Sequence, residues 1–183
     1  MYTEWFKLGT LPFRLRPDPD YLYRGGAFDG LYAELRDAAD AGHGLVYLTG
    51  DTGAGKTTLL HALARERAAT TSVARIQQPN LTAAELLATL AEQFSLAATE
   101  GARFADRASL MKFTTAERAR GRSVLILIDE AQRCSTVMLR ELLRIGADPS
   151  APLLLLAANP ALRSAAIALA GAAVRRFVNP PAR

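Results

Sequence analysis

Residues 45–58 read LVYLTGDTGAGKTT: an apolar run, Leu45 to Thr49, leads straight into a glycine-rich turn, a lysine and two threonines. Gly50, Gly55, Lys56 and Thr57 fill the pattern G-x-x-x-x-G-K-[ST]. The order has a physical logic. A short strand delivers the chain to a turn in which Gly53 and Gly55 let backbone N–H groups face inward on phosphate oxygens. The stretch that follows, KTTLLHALARERAA, reads as a helix whose unpaired N–H groups and positive dipole end meet the same anion. Lys56 is expected to reach the β- and γ-phosphates, the Thr57 hydroxyl to be a ligand of Mg²⁺, and Thr58 to lie toward the α-phosphate. The whole loop, Gly50, Asp51, Thr52, Gly53, Ala54, Gly55, Lys56, Thr57 and Thr58, is therefore the expected site of a nucleoside triphosphate, ATP or ADP with Mg²⁺.

Outward from this loop, apolar runs of strand length recur at 45–49, 71–76, 124–129, 153–158 and, more weakly, 173–178. The runs VLILI and LLLLA show no polar alternation, which suits strands covered on both faces. Helical patterns lie between them. TAAELLATLAEQF (82–94) opens with Thr82 and Glu85 at capping-box spacing. FADRASLMKFTTAERARG (104–121) ends on Gly121, and TVMLRELLRIGA (136–147) and PALRSAAIALAG (160–171) complete the set. Strands alternating with helices predict an α/β fold of the P-loop NTPase type, with a five-stranded, mostly parallel sheet flanked by helices. The first 28 residues, rich in aromatics, Pro and Arg, read as an irregular arm packed on a core formed by 29–183.

In an open parallel sheet, ligands bind beyond the carboxyl ends of the strands. VLILIDEAQ places Asp129 and Glu130 at such an end, where they would meet Lys56. Asp129 is suited to hold Mg²⁺, often through water, and Glu130 to polarise a water for in-line attack on the γ-phosphate. LLLLAANP puts Asn159 at the end of the next strand, where its amide either holds the attacking water or serves turn chemistry in an Asn-Pro dipeptide.

Composition narrows the setting. The formal net charge of +4 comes from 22 Lys and Arg against 18 Asp and Glu, scattered without long runs, so it does not decide between nucleic acid and plain arginine enrichment. A single cysteine, Cys134, excludes an internal disulfide. The N-terminus lacks a secretory signal pattern, and the longest weakly apolar stretch, AAIALAGAAV, falls short of the roughly 20 residues a membrane helix needs. The expectation is a cytoplasmic protein, peripheral to the inner membrane only through partners.

WFKLGTLPFRLRPDPDYLY, LTGDTGAGKTT, QPNLTAAELL and VLILIDEAQ together resemble the AAA+ ATPases of the general secretion pathway protein A family, over about Tyr2 to Pro160. The resemblance implies an AAA+ core that hydrolyses ATP as an assembly or remodelling factor of secretion or pilus machinery at the envelope. Related branches act in DNA transposition, which leaves a DNA-binding regulator that recruits a transposase as an alternative, and a nucleotide-binding scaffold with little turnover as another. By the same resemblance, and by its aromatic and proline content, the arm would line the adenine side of the pocket through Tyr21, Leu22 and Tyr23. Two departures from the family stand out. The chain stops at VRRFVNPPAR, where a helical lid would begin, so the core is expected to be truncated before the lid. The position of a trans-acting arginine finger falls near Ala172, amid LAGAAV, leaving Arg175 and Arg176 as substitutes. The expectation is a monomer in isolation, slow in hydrolysis, and a homo-oligomer when active.

Overall fold

A computed structural model of the chain describes residues 2–7, 25–77, 79–96, 106–162 and 176–178. Among the described residues five strands form one sheet: β1 (Gly44–Thr49), β2 (Thr71–Ile76), β3 (Ser123–Ile128), β4 (Leu153–Ala158) and the short β5 (Arg176–Val178). Their order is β2-β3-β4-β1-β5, and every pairing is parallel. The sheet thus consists of four strands of six residues and a three-residue edge strand.

The unbroken apolar strands have the cause the sequence suggested: both faces are covered. Leu45 and Tyr47 of β1, Val124, Ile126 and Ile128 of β3, and Leu154 and Leu156 of β4 face one core. That core is closed by α4 (Ala83–Phe94), α5 (Arg107–Ala119) and α6 (Thr136–Gly146) through Leu86, Leu90, Leu110, Met138 and Leu142. The alternate residues Val46, Leu48, Leu125, Leu127, Leu153 and Leu155 face a second core, closed by α2 (Ala27–Ala41) and α3 (Lys56–Arg67) through Leu31, Leu35, Leu59 and Leu63. The period of two along each strand sorts its side chains between these two helix layers.

Local signals set the element ends. Thr82 and Glu85 form the expected capping box on α4, and Asp106 with Ser109 forms another on α5. Helix α5 closes in a Schellman motif. The Arg122 N–H donates to Glu117 O at 2.9 Å and the Gly121 N–H to Arg118 O at 2.9 Å, with Gly121 left-handed at φ 72°. This helix therefore starts and stops two or three residues inside the expected 104–121, because the cap residues are not themselves helical. At the carboxyl end of α6, Gly146 lies so close to the sheet that a Cβ there would stand 3.2 Å from Leu154 and 3.3 Å from Leu45.

Two features depart from the sequence expectations. Helix α2 is absent from them, although Leu31, Leu35, Ala38 and Ala39 repeat at i, i+4, i+7 and i+8 and Gly42 supplies a left-handed C-cap. Ala27 and Phe28, assigned to the arm, belong to this helix. The arm is also not wholly irregular: α1 (Tyr2–Trp5) is a single helical turn, followed by largely exposed Phe6, with Trp5 85% exposed. Residues 8–24, which include Tyr21, Leu22 and Tyr23, lie outside the described residues, as do Ala172 and Arg175 and most of the expected 160–171 helix. Arg176 opens β5, where its backbone pairs with Val46. Among the described residues no helix is long and apolar enough to cross a membrane.

Candidate nucleotide site

The strand order determines what meets at the carboxyl edge of the sheet. β4 lies between β1 and β3, so the turn after β4, with Asn159, sits between the glycine loop after β1 and the acid pair after β3. Backbone hydrogen bonds carry the sheet one step past each strand end: Gly50 N–H donates to Ala158 O at 3.2 Å, and Asp129 N–H to Ile76 O at 3.1 Å. The expected strand 124–129 is in fact Ser123–Ile128, and Asp129 is the first residue beyond it.

In the loop, Gly53 and Gly55 adopt φ 82° and 80°, the left-handed region that a Cβ disfavours. Gly55 is the N-cap of α3, so Lys56, Thr57 and Thr58 occupy its first turn, where backbone N–H groups lack intrahelical acceptors. The first helical bond, Leu59 N–H to Gly55 O, measures 2.9 Å. Lys56 is 9% exposed and folds back over the loop, its Nζ donating to Gly50 O at 2.8 Å and Asp51 O at 2.9 Å. An ammonium has three N–H donors, so these two carbonyls leave one for an anion.

The link between loop and strand β3 is short. The Thr57 hydroxyl donates to Asp129 Oδ2 at 2.6 Å, across 72 residues of sequence. A hydroxyl that gives its proton to a carboxylate keeps its lone pairs for a cation, so a hard oxygen pair stands beside the loop. That donor set suits Mg²⁺, which prefers few protein oxygens and retains water and phosphate ligands. Among the described residues no cluster of three or more His, Cys, Asp and Glu offers a competing metal site.

Glu130 behaves differently from its neighbour. It is exposed and left-handed at φ 51° and ψ 36°, although it is not glycine. Such a conformation costs a side-chain-bearing residue about 1–2 kcal/mol. Its N–H donates to Asp129 Oδ1 at 2.9 Å. Its Oε2 accepts from Gln132 Nε2 at 2.6 Å, and Gln132 Oε1 in turn accepts the Asn159 backbone N–H at 3.1 Å. Fixing a long carboxylate side chain costs about 1.5–2 kcal/mol of rotamer freedom, and a hydrogen bond to its charged form returns a similar amount, about 1.5–3 kcal/mol. The Gln132 bond is therefore sufficient to keep Glu130 in one place. The sequence alone assigns Gln132 no role, although it closes the run VLILIDEAQ.

Asn159 serves the turn and leaves a donor over. Its Oδ1 accepts the Ala161 N–H at 3.1 Å and its carbonyl accepts the Leu162 N–H at 3.2 Å, which starts the next helical turn. The Nδ2 amide has no partner among the described residues. Nearby, burial holds His61, on α3, below the usual histidine range; Arg75 adds to this and Asp129 opposes it. Burial pushes the Cys134 thiol up to about 12, so it stays protonated at neutral pH.

The comparisons with known proteins agree with this geometry. The family model described as "AAA domain" matches residues 39–165, which span β1 to the turn after β4. General secretion pathway protein A of Aeromonas hydrophila is 34% identical over 143 residues, covering 78% of this chain; the chain spans only 26% of that relative. Among solved structures, Cdc6p of Pyrobaculum aerophilum superposes at TM-score 0.62 with 18% identity, over 87% of this chain and 48% of that one. The ORC2 protein of Aeropyrum pernix in its ADP form gives 0.58 with 19% identity, over 98% and 52%. These structures share the fold, an α/β P-loop NTPase core. With the family model covering most of the chain from the first strand onward, this protein belongs to the AAA domain family, a group of nucleotide-binding ATPases.

Proposed function

We propose that the chain binds ATP and ADP with Mg²⁺ at Gly50–Thr58 and hydrolyses ATP, as the motor of an assembly or remodelling step in envelope secretion machinery. The observation that carries this reading is the 2.6 Å bond between Thr57 and Asp129, which joins the phosphate-binding turn to the acid-bearing strand end.

The residues would divide the work as follows. Backbone N–H groups of the loop and of the first turn of α3 cradle the phosphates, and Lys56 shifts its free donor toward the β- and γ-oxygens. Thr57 and Asp129 would hold Mg²⁺, the latter through water, and the ion when bound supplies positive charge against the developing negative charge on the phosphate oxygens. Glu130 accepts a proton from a water aligned with the γ-phosphate, and the Nδ2 of Asn159 steadies that water or a γ-oxygen. Tyr21, Leu22 and Tyr23 are proposed for the adenine side. Arg175 or Arg176 is proposed to act on a neighbour's ATP in a homo-oligomer. The backbone of Arg176 is level with Val46, four residues before Gly50, or about 13 Å along the strand. That distance favours Arg176 as a residue acting outside its own pocket. The secretion setting rests on the similarity to general secretion pathway protein A.

The test is calorimetry with Mg-ATP. Wild type is expected to bind, and Lys56→Ala to lose most of its affinity, about 100-fold. Equal binding by the two proteins would remove the site from this loop.

A second reading, a DNA-binding transposition regulator, has one observation in its favour. Arg140 and Arg144 are exposed at i and i+4 on one face of α6, and Arg133 is exposed in the turn before it. Binding of duplex DNA that weakens steeply with salt, and is lost in the triple alanine variant, would favour that reading over the secretion one.

A further inference from the structure

We propose that Gln132 is a positioning residue of the hydrolytic site, a rigid bridge that sets Glu130 from the end of strand β4. This rests on the reading of Glu130 as the base.

The argument starts from the two ends of one amide. Gln132 Nε2 donates to the Glu130 carboxylate at 2.6 Å, and Gln132 Oε1 accepts from the Asn159 backbone at 3.1 Å. The two functions could not be exchanged, because a carboxylate accepts only and a backbone N–H donates only. The amide is thereby fixed in one orientation. Its anchor is firm: Asn159 follows Ala158, a fully buried residue of β4, and Ala158 O is itself held by Gly50 N–H at the mouth of the phosphate loop. Its load has little other support: Glu130 is exposed, lies two residues past the end of β3, and stands in a left-handed conformation.

A short path therefore runs from Gly50 through Ala158, Asn159 and Gln132 to Glu130. Each step is a hydrogen bond or one covalent link. The Asn159 side chain, whose Nδ2 is unpartnered among the described residues, stands on the same path. A ligand that draws Asn159 toward itself moves the anchor of Gln132, and with it the carboxylate. Two backbone contacts, the Glu130 N–H to Asp129 Oδ1 and the Arg133 N–H to Glu130 O at 2.9 Å, fix its backbone and leave the carboxylate to Gln132.

The distinguishing variants are Gln132→Met, which keeps length and shape and removes both bonds, and Gln132→Glu. The latter keeps an acceptor for the Asn159 N–H but replaces the donor facing Glu130 by a like charge. Single-turnover hydrolysis of Mg-ATP, with protein in excess, is expected to slow about 10- to 100-fold in both variants. The Kd for Mg-ATP should stay within about twofold, because neither bond touches the phosphate loop. Gln132→Met added to Glu130→Gln should slow nothing further. In ¹⁵N-labelled protein without nucleotide, the Gln132 side-chain amide protons should shift upfield in Glu130→Ala, a readout independent of turnover. A Gln132→Met rate within twofold of wild type, alongside an inactive Glu130→Gln, would overturn the bridge and leave the base in place. An amide resonance unmoved by Glu130→Ala would overturn it too. Full turnover by Glu130→Gln would instead remove the base, and the bridge with it.

Discussion

The glycine loop and the turn after β3 meet at one edge of the sheet through the Thr57–Asp129 bond, and they are built in opposite ways. The loop uses backbone. Its left-handed positions are Gly53 and Gly55, where the conformation is free of Cβ strain and no atom lies within 4 Å of where a Cβ would sit. The turn uses side chains. Its left-handed position is Glu130, which carries the strain, and its geometry depends on Asp129, Gln132 and Asn159 reaching across from two strand ends. A backbone cradle suits a ligand that only has to be held. A strained, side-chain-supported carboxylate suits a group that must sit at one point relative to a reacting atom. The difference teaches that holding and reacting should be separable by substitution.

The largest expected effect breaks the turn and spares the loop. Glu130→Gln keeps shape and removes basicity, so turnover should fall by about 10²- to 10⁴-fold while Mg-ATP binding, read by calorimetry, stays close to wild type. If binding fell in step with turnover, the two regions would not be independent.

A smaller effect lies away from both regions and shows what a purely structural charge looks like. Glu117 is 7% exposed; its Oε2 accepts from Ser72 Oγ at 2.6 Å and Arg122 Nε at 2.9 Å, and its Oε1 from Arg120 at 3.0 Å. The Ser72 hydrogen bond, with help from Arg122 and Arg120 and against burial, holds this carboxyl below its ordinary value of 4.5. A carboxyl depressed in the folded state contributes stability that is complete above the unfolded value and is lost as pH falls through the folded one. Glu117→Gln should therefore destabilise the fold by about 2 kcal/mol at pH 7. The gap should narrow as pH drops below about 4.5, with urea midpoints as the measurement. A gap independent of pH would mean that packing, not charge, is what the substitution removes.

The same contrast explains what was legible in the sequence. The loop was, because a backbone requirement is written in glycine spacing and a following lysine; Gly53 and Gly55 have the conformation their identity suggested. The places of Asp129 and Asn159 at strand ends were, because an unbroken apolar run ends one residue before each polar group. Helix α2 was not. Its buried stripe rests on Leu31 and Leu35 plus two alanines, and Gly30 interrupts its first turn, so the pattern is thin beside the neighbouring strand. Gln132 was not, since nothing local distinguishes it: its function depends on Asn159, 27 residues away, and on strand order, which no short motif records. The strain at Glu130 was hidden for a related reason, for the sequence there shows a glutamate where the backbone would favour glycine.

The loop can be made to carry the strain it avoids. Gly55→Ala puts a Cβ at φ 80° with open space around it, so the loss should be conformational alone, about 1–2 kcal/mol in chemical unfolding. The larger consequence belongs to binding, because Gly55 caps α3 and relaxing its backbone re-aims the N–H groups of Lys56 and Thr57. Stability and nucleotide affinity should fall together here, unlike in Glu130→Gln. A loss of stability with unchanged affinity would show that the cradle tolerates a shifted turn.

The smallest effect has the opposite sign. Glu130→Gly removes the side chain from a residue at φ 51° and ψ 36°, the region glycine enters without Cβ strain. Against this gain stand the added freedom of the unfolded chain and the lost Gln132 bond. The strain relieved is about 1–2 kcal/mol, and the entropy added to the unfolded state about 0.4–1 kcal/mol. The lost bond counts for little, because its contribution of about 1.5–3 kcal/mol is largely offset by the side-chain rotamer freedom, about 1.5–2 kcal/mol, that Glu130 loses and glycine does not. The balance favours the variant by about 0.5 kcal/mol. Glu130→Gly should thus unfold at a slightly higher urea concentration than wild type with an unchanged m-value, and hydrolyse nothing. Glu130→Ala, which keeps a Cβ and loses the same bond, should show no such gain. A Glu130→Gly protein less stable than Glu130→Ala would mean that this turn is relaxed as it stands, and the contrast with the glycine loop would then rest on side-chain support alone.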